Sequence, residues 1–150
     1  QYTKDIRLVS RNPETVNCTD QLLSADLTKA EDVDKAVEGS EIVYLTAGFP
    51  YSIKVWRKTW PVVTKNVIEA CKKHRAKLVF FDNIYMYDPN FLSHMTEETP
   101  INPSSKKGEV STSLINSGLY RPLNTFQGKI VLLKLPDFDQ FLFLFRYGFF

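Results

Sequence analysis

The chain has 150 residues, 43% of them hydrophobic and 24% charged, with a formal net charge of +2. That is room for one domain with a real core and an ordinary globular balance. The charge is too small to argue for nucleic acid or an anionic membrane as partner, and no apolar run approaches the roughly 20 residues of a membrane span. Cys18 and Cys71 have no metal-ligand spacing, so two incidental thiols in a reduced, cytoplasmic protein are expected rather than a disulfide. Gln1 to Asp5 is polar and does not read as a signal peptide.

Ile6-Arg7-Leu8-Val9-Ser10 has alternating character and predicts a strand, which Arg11-Asn12-Pro13 ends. A polar loop runs to Asp20. Leu22-Leu23 predict a short second strand, followed by Ala25-Asp26-Leu27. Thr28-x-x-Glu31 reads as a capping box that opens a helix. Val33, Ala36 and Val37 lie at helical spacing, and Gly39 is a suitable stop. Ile42-Val43-Tyr44-Leu45 predicts a third strand, ending in Thr46-Ala47-Gly48. Trp56, Trp60, Val63, Val67 and Cys71 then recur at helical spacing and make one apolar face. Pro61 lacks an N–H, so it must sit in a first turn or kink the helix.

Leu78-Val79-Phe80-Phe81 is continuously apolar and predicts a buried strand, after which Asp82 and Asn83 turn the chain polar. Strands alternating with helices predict an α/β fold with a parallel sheet. Ligands of such sheets bind just beyond the carboxyl ends of the strands, which places Asp82 to Tyr87 where chemistry is expected. After Asp88 the pattern weakens. Residues 111 to 128 show no clear periodicity, Ile130-Val131-Leu132-Leu133 reads as a strand candidate, and Phe141 to Phe145 with Phe149-Phe150 form an aromatic and aliphatic tail. Left uncovered, such a tail is an aggregation hazard.

An apolar strand, a polar pair and Tyr87 four residues after Asn83 together resemble the strand-five segment of extended short-chain dehydrogenases, the NAD-dependent epimerase/dehydratase group and its atypical relatives. Met86-Tyr87-Asp88 stands where that family often has Val-Tyr-Gly, and Asn83 stands at its catalytic Ser or Thr. Asn66-Val67-Ile68-Glu69-Ala70 is similar to the family's Asn-Val/Leu-Leu-Glu-Ala helix. The resemblance runs from Asp5 to about Lys107. It implies an incomplete Rossmann-like domain over 1–107, a mainly parallel sheet flanked by helices, and an irregular tail over 108–150 with a strand candidate at 129–135.

The resemblance also assigns candidate site residues. Ser10-Arg11 ends the strand that selects the nicotinamide cofactor, and a cation without an acid there favours NADP over NAD. A solvated Arg is the plain alternative. Asp26-Leu27 resembles the pair that lies against the adenine, although a turn Asp ahead of a helix would look the same. Thr46-Ala47-Gly48 resembles the small-residue turn under the nicotinamide ribose.

Two parts of the family pattern are not found. The first strand and its Gly-x-x-Gly-x-x-Gly turn, which would cradle the pyrophosphate, do not precede Ile6; the chain enters the pattern late, as a truncated fragment would. The catalytic Tyr-x-x-x-Lys is replaced, with Lys107 at the Tyr position and Ser111 at the Lys position. Tyr85 or Tyr87 would then have to supply the proton, unless they are packed strand-end residues. In the family's strand order the first strand lies between those starting at Ile6 and Ile42, so a gap or a substitute strand is expected there; Ile130–Leu133 is the candidate, either in that slot or packed over an edge of the sheet.

These features imply a fragment of an NAD(P)-dependent oxidoreductase of the epimerase/dehydratase type acting on a small molecule. The alternatives are a non-catalytic dinucleotide-binding or regulatory module, and an inactive truncated product. Neither nucleic acid, membrane nor metal is expected as a partner. An exposed sheet edge or the aromatic tail offers a route to self-association.

Overall fold

The structure, a computed structural model, describes residues 5–81, 84–95, 99–117 and 142–145. Its elements are β1 (Ile6–Ser10), β2 (Gln21–Ser24), α1 (Ala30–Val37), β3 (Ile42–Leu45), α2 (Ile53–His74), β4 (Lys77–Phe80), two 3-10 turns (Ile84–Met86 and Pro89–Phe91), α3 (Lys106–Asn116) and β5 (Leu142–Phe145). The sheet runs in the order β2-β1-β5-β3-β4. Strands β1 and β2 pair in parallel, with Leu8 opposite Leu22, and β3 and β4 pair in parallel, with Val43 opposite Leu78.

Strand β5 fills the slot between β1 and β3, where the resemblance implied a gap or a substitute. It runs antiparallel to both neighbours, pairing Ile6 with Phe145 on one side and Ile42 with Phe145 on the other. Both neighbours oppose β5, so β1 and β3 are parallel to each other. The substitute is Leu142–Phe145, from the aromatic tail. The expected strand at 129–135 lies outside the described residues.

One core joins sheet and helices. Val9, Val43, Leu45, Leu78 and Phe80 of the sheet pack with Val33, Ala36 and Val37 of α1, with Trp56, Trp60, Val63, Val67 and Cys71 of α2, and with Val110 and Leu114 of α3. The apolar face read in α2 is therefore the buried face, and Val63 and Val67 are almost wholly inaccessible. Burying each such side chain stabilises by about 1.5–3 kcal/mol. Pro61 stands inside α2, well past its first turn. Gly39 ends α1 at a φ of 73°, a left-handed conformation that glycine adopts without steric penalty. Arg7 of β1 closes the same end from across the sheet, where its guanidinium donates to the carbonyls of Ala36 (2.9 Å) and Glu38 (2.8 Å).

Two expectations need correction. The capping box at Thr28 is not formed. Helix α1 starts at Ala30, and the Thr28 hydroxyl instead donates to Asp26 Oδ1 at 2.8 Å. The Asp26 carboxylate offers the Thr28 N–H and O–H a closer partner than the helix end does, and such local side-chain bonds compete with capping. The tail is also not irregular throughout. Helix α3 begins at Lys106 and runs beyond the expected boundary at 107, capped by Ser105, whose hydroxyl oxygen accepts from the Gly108 N–H at 3.1 Å. Its buried stripe of Lys107, Gly108, Val110, Ser111 and Leu114 contains only two large apolar residues. For that reason the periodicity was weak in sequence.

Candidate functional site

The four parallel strands end on one edge of the sheet. That edge gathers Ser10-Arg11 after β1, Asp26-Leu27 after β2, Thr46-Ala47-Gly48 after β3 and the 3-10 turn of Tyr85 after β4. Because β5 is reversed, its first residue, Leu142, lies at this edge opposite Val9.

The first station is built by β1 and β2. The Ser10 carbonyl accepts from the Ala25 N–H at 2.9 Å, and the Ser24 hydroxyl donates to the Arg11 carbonyl at 2.8 Å. These bonds hold exposed Arg11 near Asp26. The Asp26 carboxylate accepts from the Thr28 N–H at 2.9 Å and from the Thr28 hydroxyl. Those two bonds, with Lys29 and Arg11 nearby, hold its carboxyl below the usual carboxylate range against a small opposing effect of burial. The Asp26 N–H donates to Asp32 Oδ2 at 3.0 Å, and the Leu27 carbonyl accepts from Asn66 Nδ2 at 3.0 Å. Asn66, read in the family-like helix motif, therefore ties the Asp26-Leu27 loop to α2.

At the second station, Ala47 packs against the core and Thr46 Oγ1 is buried with no hydrogen-bond partner among the described residues. The chain continues through Phe49, edge-on to Trp60 at 4.8 Å between ring centroids, to Tyr51 just ahead of α2. Trp56 then touches Trp60, Tyr51 and Tyr85, with centroids 6.0, 6.4 and 6.2 Å away. An aromatic wall thus floors the edge beyond β3 and β4.

The third station joins the turn after β4 to α3. Asp88 accepts from the Asn90 N–H at 2.9 Å and from Asn102 Nδ2 at 3.0 Å, while its own N–H donates to the Pro100 carbonyl. The bonds from Asn102 and Asn90 hold the Asp88 carboxyl below its usual range. The backbone of Tyr87 bridges to Ile101 in the same clamp, so Tyr87 belongs to the support of this loop. Asn83 lies outside the described residues. Lys107 and Ser111 stand one turn apart on the buried face of α3. Lys107 stands where the resemblance implied a Tyr, and Ser111 where it implied a Lys.

A constellation missed in the sequence closes this end of the site. The Tyr51 and Tyr85 hydroxyls are 3.4 Å apart, the Lys107 ammonium lies over the Tyr51 ring, and it stands 5.2 Å from the Trp56 ring. Lys107 is buried, whereas Tyr51 is 75% exposed. Hydrogen bonds to Tyr85 and Lys107, with the lysine charge, hold the Tyr51 phenol below the ordinary tyrosine range. Its sequence position beside Gly48-Phe49-Pro50 carries no sign that α3 returns to meet it.

Residues 2–120 match the family described as NAD(P)H-binding. The chain belongs to that family. Among solved structures, this NAD(P)H-binding chain is similar to a mutated uronate dehydrogenase at 18% identity and a TM-score of 0.62, covering 77% of this chain and 46% of that one. The Bordetella bronchiseptica enzyme WbmG, solved with NAD and UDP, is 15% identical at a TM-score of 0.60, covering 77% and 40%. The UDP-N-acetylglucosamine 4-epimerase of Bacillus cereus is 16% identical at 0.55, covering 75% and 40%. At these identities the likeness is one of fold, a Rossmann-type α/β sheet, and the chain spans less than half the length of these three proteins. No curated protein matches it.

The residues that could hold the two ends of a dinucleotide are Arg11 and Asp26, a cation and a carboxylate after β1 and β2, and Thr46 after β3, whose buried hydroxyl has no partner among the described residues. The centre fits less well. A pyrophosphate is ordinarily met by backbone N–H groups at a helix N-terminus, and the central slot here holds a strand that enters from this edge. Among the described residues no cluster of His, Cys, Asp and Glu could hold a metal, and no helix is long and apolar enough to cross a membrane.

Proposed function

We propose that this chain is part of an NADP-preferring oxidoreductase of the epimerase/dehydratase type, acting on a small polar or nucleotide-linked substrate. The observation that carries the cofactor choice is Arg11, exposed at the end of β1 beside Asp26 and with no acidic residue at the β1 terminus. A guanidinium there pairs with a 2′-phosphate, whereas an acid would accept the ribose hydroxyls of NAD. The bound nicotinamide would supply hydride chemistry; Arg11, Asp26 and Thr46 would bind and orient its carrier. Two thiols that are free, exposed Cys18 and buried Cys71, support a reduced cytoplasmic setting.

Binding by these 150 residues is expected to be weak. Among the described residues the central slot is held by β5 and no glycine turn presents N–H groups there, and each charge-assisted bond not made is about 1.5–3 kcal/mol. At a tenfold change per ~1.4 kcal/mol, a site that would be micromolar falls to about millimolar. Calorimetric titration with NADP and NAD tests the reading. NADP should bind more tightly than NAD, and Arg11→Asp should erode that preference. Equal affinities unaffected by Arg11→Asp would refute the NADP assignment.

A dinucleotide-binding module without turnover is the second reading, favoured by Lys107 and Ser111 in place of the family's Tyr and Lys. Absorbance change of the nicotinamide on adding candidate alcohols separates it from the first.

A further inference from the structure

Lys107 is a buried lysine in the first turn of α3, where the helix dipole opposes a cation. A buried charge is ordinarily paired with an opposite one. Among the described residues, no carboxylate lies within ion-pair distance of Lys107. Its ammonium instead lies over the Tyr51 ring and bonds the Tyr51 hydroxyl, with Trp56 beside it. The Tyr51 hydroxyl in turn meets that of Tyr85. The indole N–H of Trp56, buried in the same cluster, has no acceptor among the described residues. The cluster is rich in donors and short of acceptors.

The surroundings carry the same sign. Helix α2 begins here, with Lys54 and no acid in its first turn, and the Ser52 side chain makes no cap bond to it. Lys106 stands beside Lys107 at the start of α3. Glu109, the acid in that first turn, is already engaged by Arg57 at 3.5 Å. Asp88, on the turn after β4, is held by Asn90 and Asn102. Two helix N-termini, each a partial positive charge, therefore adjoin a buried ammonium, and among the described residues no free carboxylate answers them.

We propose that this cluster is a binding site for the carboxylate group of a small molecule, presented beyond the ends of β3 and β4. Lys107 supplies the charge, and the Tyr51 and Tyr85 hydroxyls supply directional bonds. A carboxylate suits this inventory. It only accepts, and its two oxygens take up to about four hydrogen bonds. Its single charge matches Lys107, the one buried cation among the described residues. Hydrogen bonds to an ionised oxygen are also stronger than those between neutral groups. Because Tyr51 is mostly exposed, a ligand reaches the hydroxyls without any core group moving. The inference names the charged group of the small polar substrate, and it rests on the oxidoreductase reading only in calling that ligand a substrate. Binding itself needs no dinucleotide and leaves the central slot to β5.

The chain has two tryptophans, Trp56 and Trp60, so intrinsic fluorescence reports on this cluster. The full chain is titrated with acetate at constant ionic strength, chloride being the balancing anion. Acetamide, a neutral isostere, and inorganic phosphate are run beside it, with calorimetry for the affinities. Acetate should give a saturable change and acetamide none. Tyr51→Phe, at an exposed position, should weaken acetate about tenfold, the effect of one lost hydrogen bond to a charged group. Lys107→Met should abolish binding, and Lys107→Arg should keep it. Tyr51→Phe decides the matter even where the Met variant fails to fold. No saturable acetate binding, or binding that Tyr51→Phe leaves unchanged, would overturn the proposal. Phosphate bound more tightly than acetate would overturn the carboxylate class. NADP titration of the same samples separates the two readings. Acetate binding without NADP binding supports the site and defeats the oxidoreductase reading, whereas NADP binding without acetate binding defeats this inference alone.

Discussion

Gly108 of α3 lies directly against the backbone carbonyl of Tyr85. A Cβ at position 108 would collide with the Tyr85 oxygen and stand 2.6 Å from the Pro103 Cβ. The helix that carries Lys107 can therefore approach the turn that carries Tyr85 only because residue 108 has no side chain. Both obstacles are rigid, one being backbone and the other a proline ring.

Gly108→Ala should accordingly push α3 away from the turn. Overpacking of this kind destabilises by about 1–3 kcal/mol, which outweighs the ~1 kcal/mol that Ala gains over Gly in a helix. The melting temperature should fall. A variant as stable as the parent would contradict the contact.

Val67 lies in the buried face of α2 at 1% exposure. Val67→Asp would bury a carboxylate with no ion-pair partner and should cost on the order of 3 kcal/mol or more. Thermal or urea denaturation measures this. An unchanged midpoint would mean that α2 presents another face to the sheet.

Strand β5 has ladder partners on both sides, so its peptide groups are interior to the sheet. Leu144→Pro would delete an N–H there, leaving a carbonyl unmatched at about 1–3 kcal/mol and adding ring clashes. Native-state hydrogen exchange gives a second check. Amides of Leu142–Phe145 should exchange nearly as slowly as those of β1, whereas exchange as fast as in the loop near Asn90 would show that the slot is not held by this strand.

Asp34 links α1 to the end of α2. Its carboxylate accepts from Lys73 Nζ at 2.7 Å and meets His74 Nε2 at 2.8 Å. These two contacts hold its carboxyl below the ordinary value of 3.8. A depressed folded-state value stabilises the fold above the unfolded value, and the gain is lost as the pH falls through the folded one. Asp34→Asn should therefore lower the melting temperature at neutral pH, and the gap between variant and parent should narrow below about pH 4. A gap that persists in strong acid would argue against this charge-based link.

The sequence by itself determined what depends on near neighbours along the chain. The spacing of Trp56, Trp60, Val63 and Val67 specified the buried face of α2, and the apolar runs at Ile6, Ile42 and Leu78 specified three of the parallel strands, because helix and strand periods are local properties of the backbone. The family-like strand order even marked the slot between β1 and β3. Only the tertiary structure decided what fills it. Phe141 to Phe145 and Ile130 to Leu133 are both apolar and β-prone, and the choice of strand and its antiparallel direction depend on long-range hydrogen bonds to β1 and β3. The same limit applied to the site. The positions of Arg11, Asp26 and Thr46 just past the ends of β1, β2 and β3 were legible because those strands are recognisable. Asp26 also bonded Thr28 out of its expected cap. Tyr51, Tyr85 and Lys107 lie far apart in the chain, and no periodicity relates them. They meet because β3, β4 and α3 deliver their ends to one edge of the sheet, and because Gly108 lets the helix come close enough.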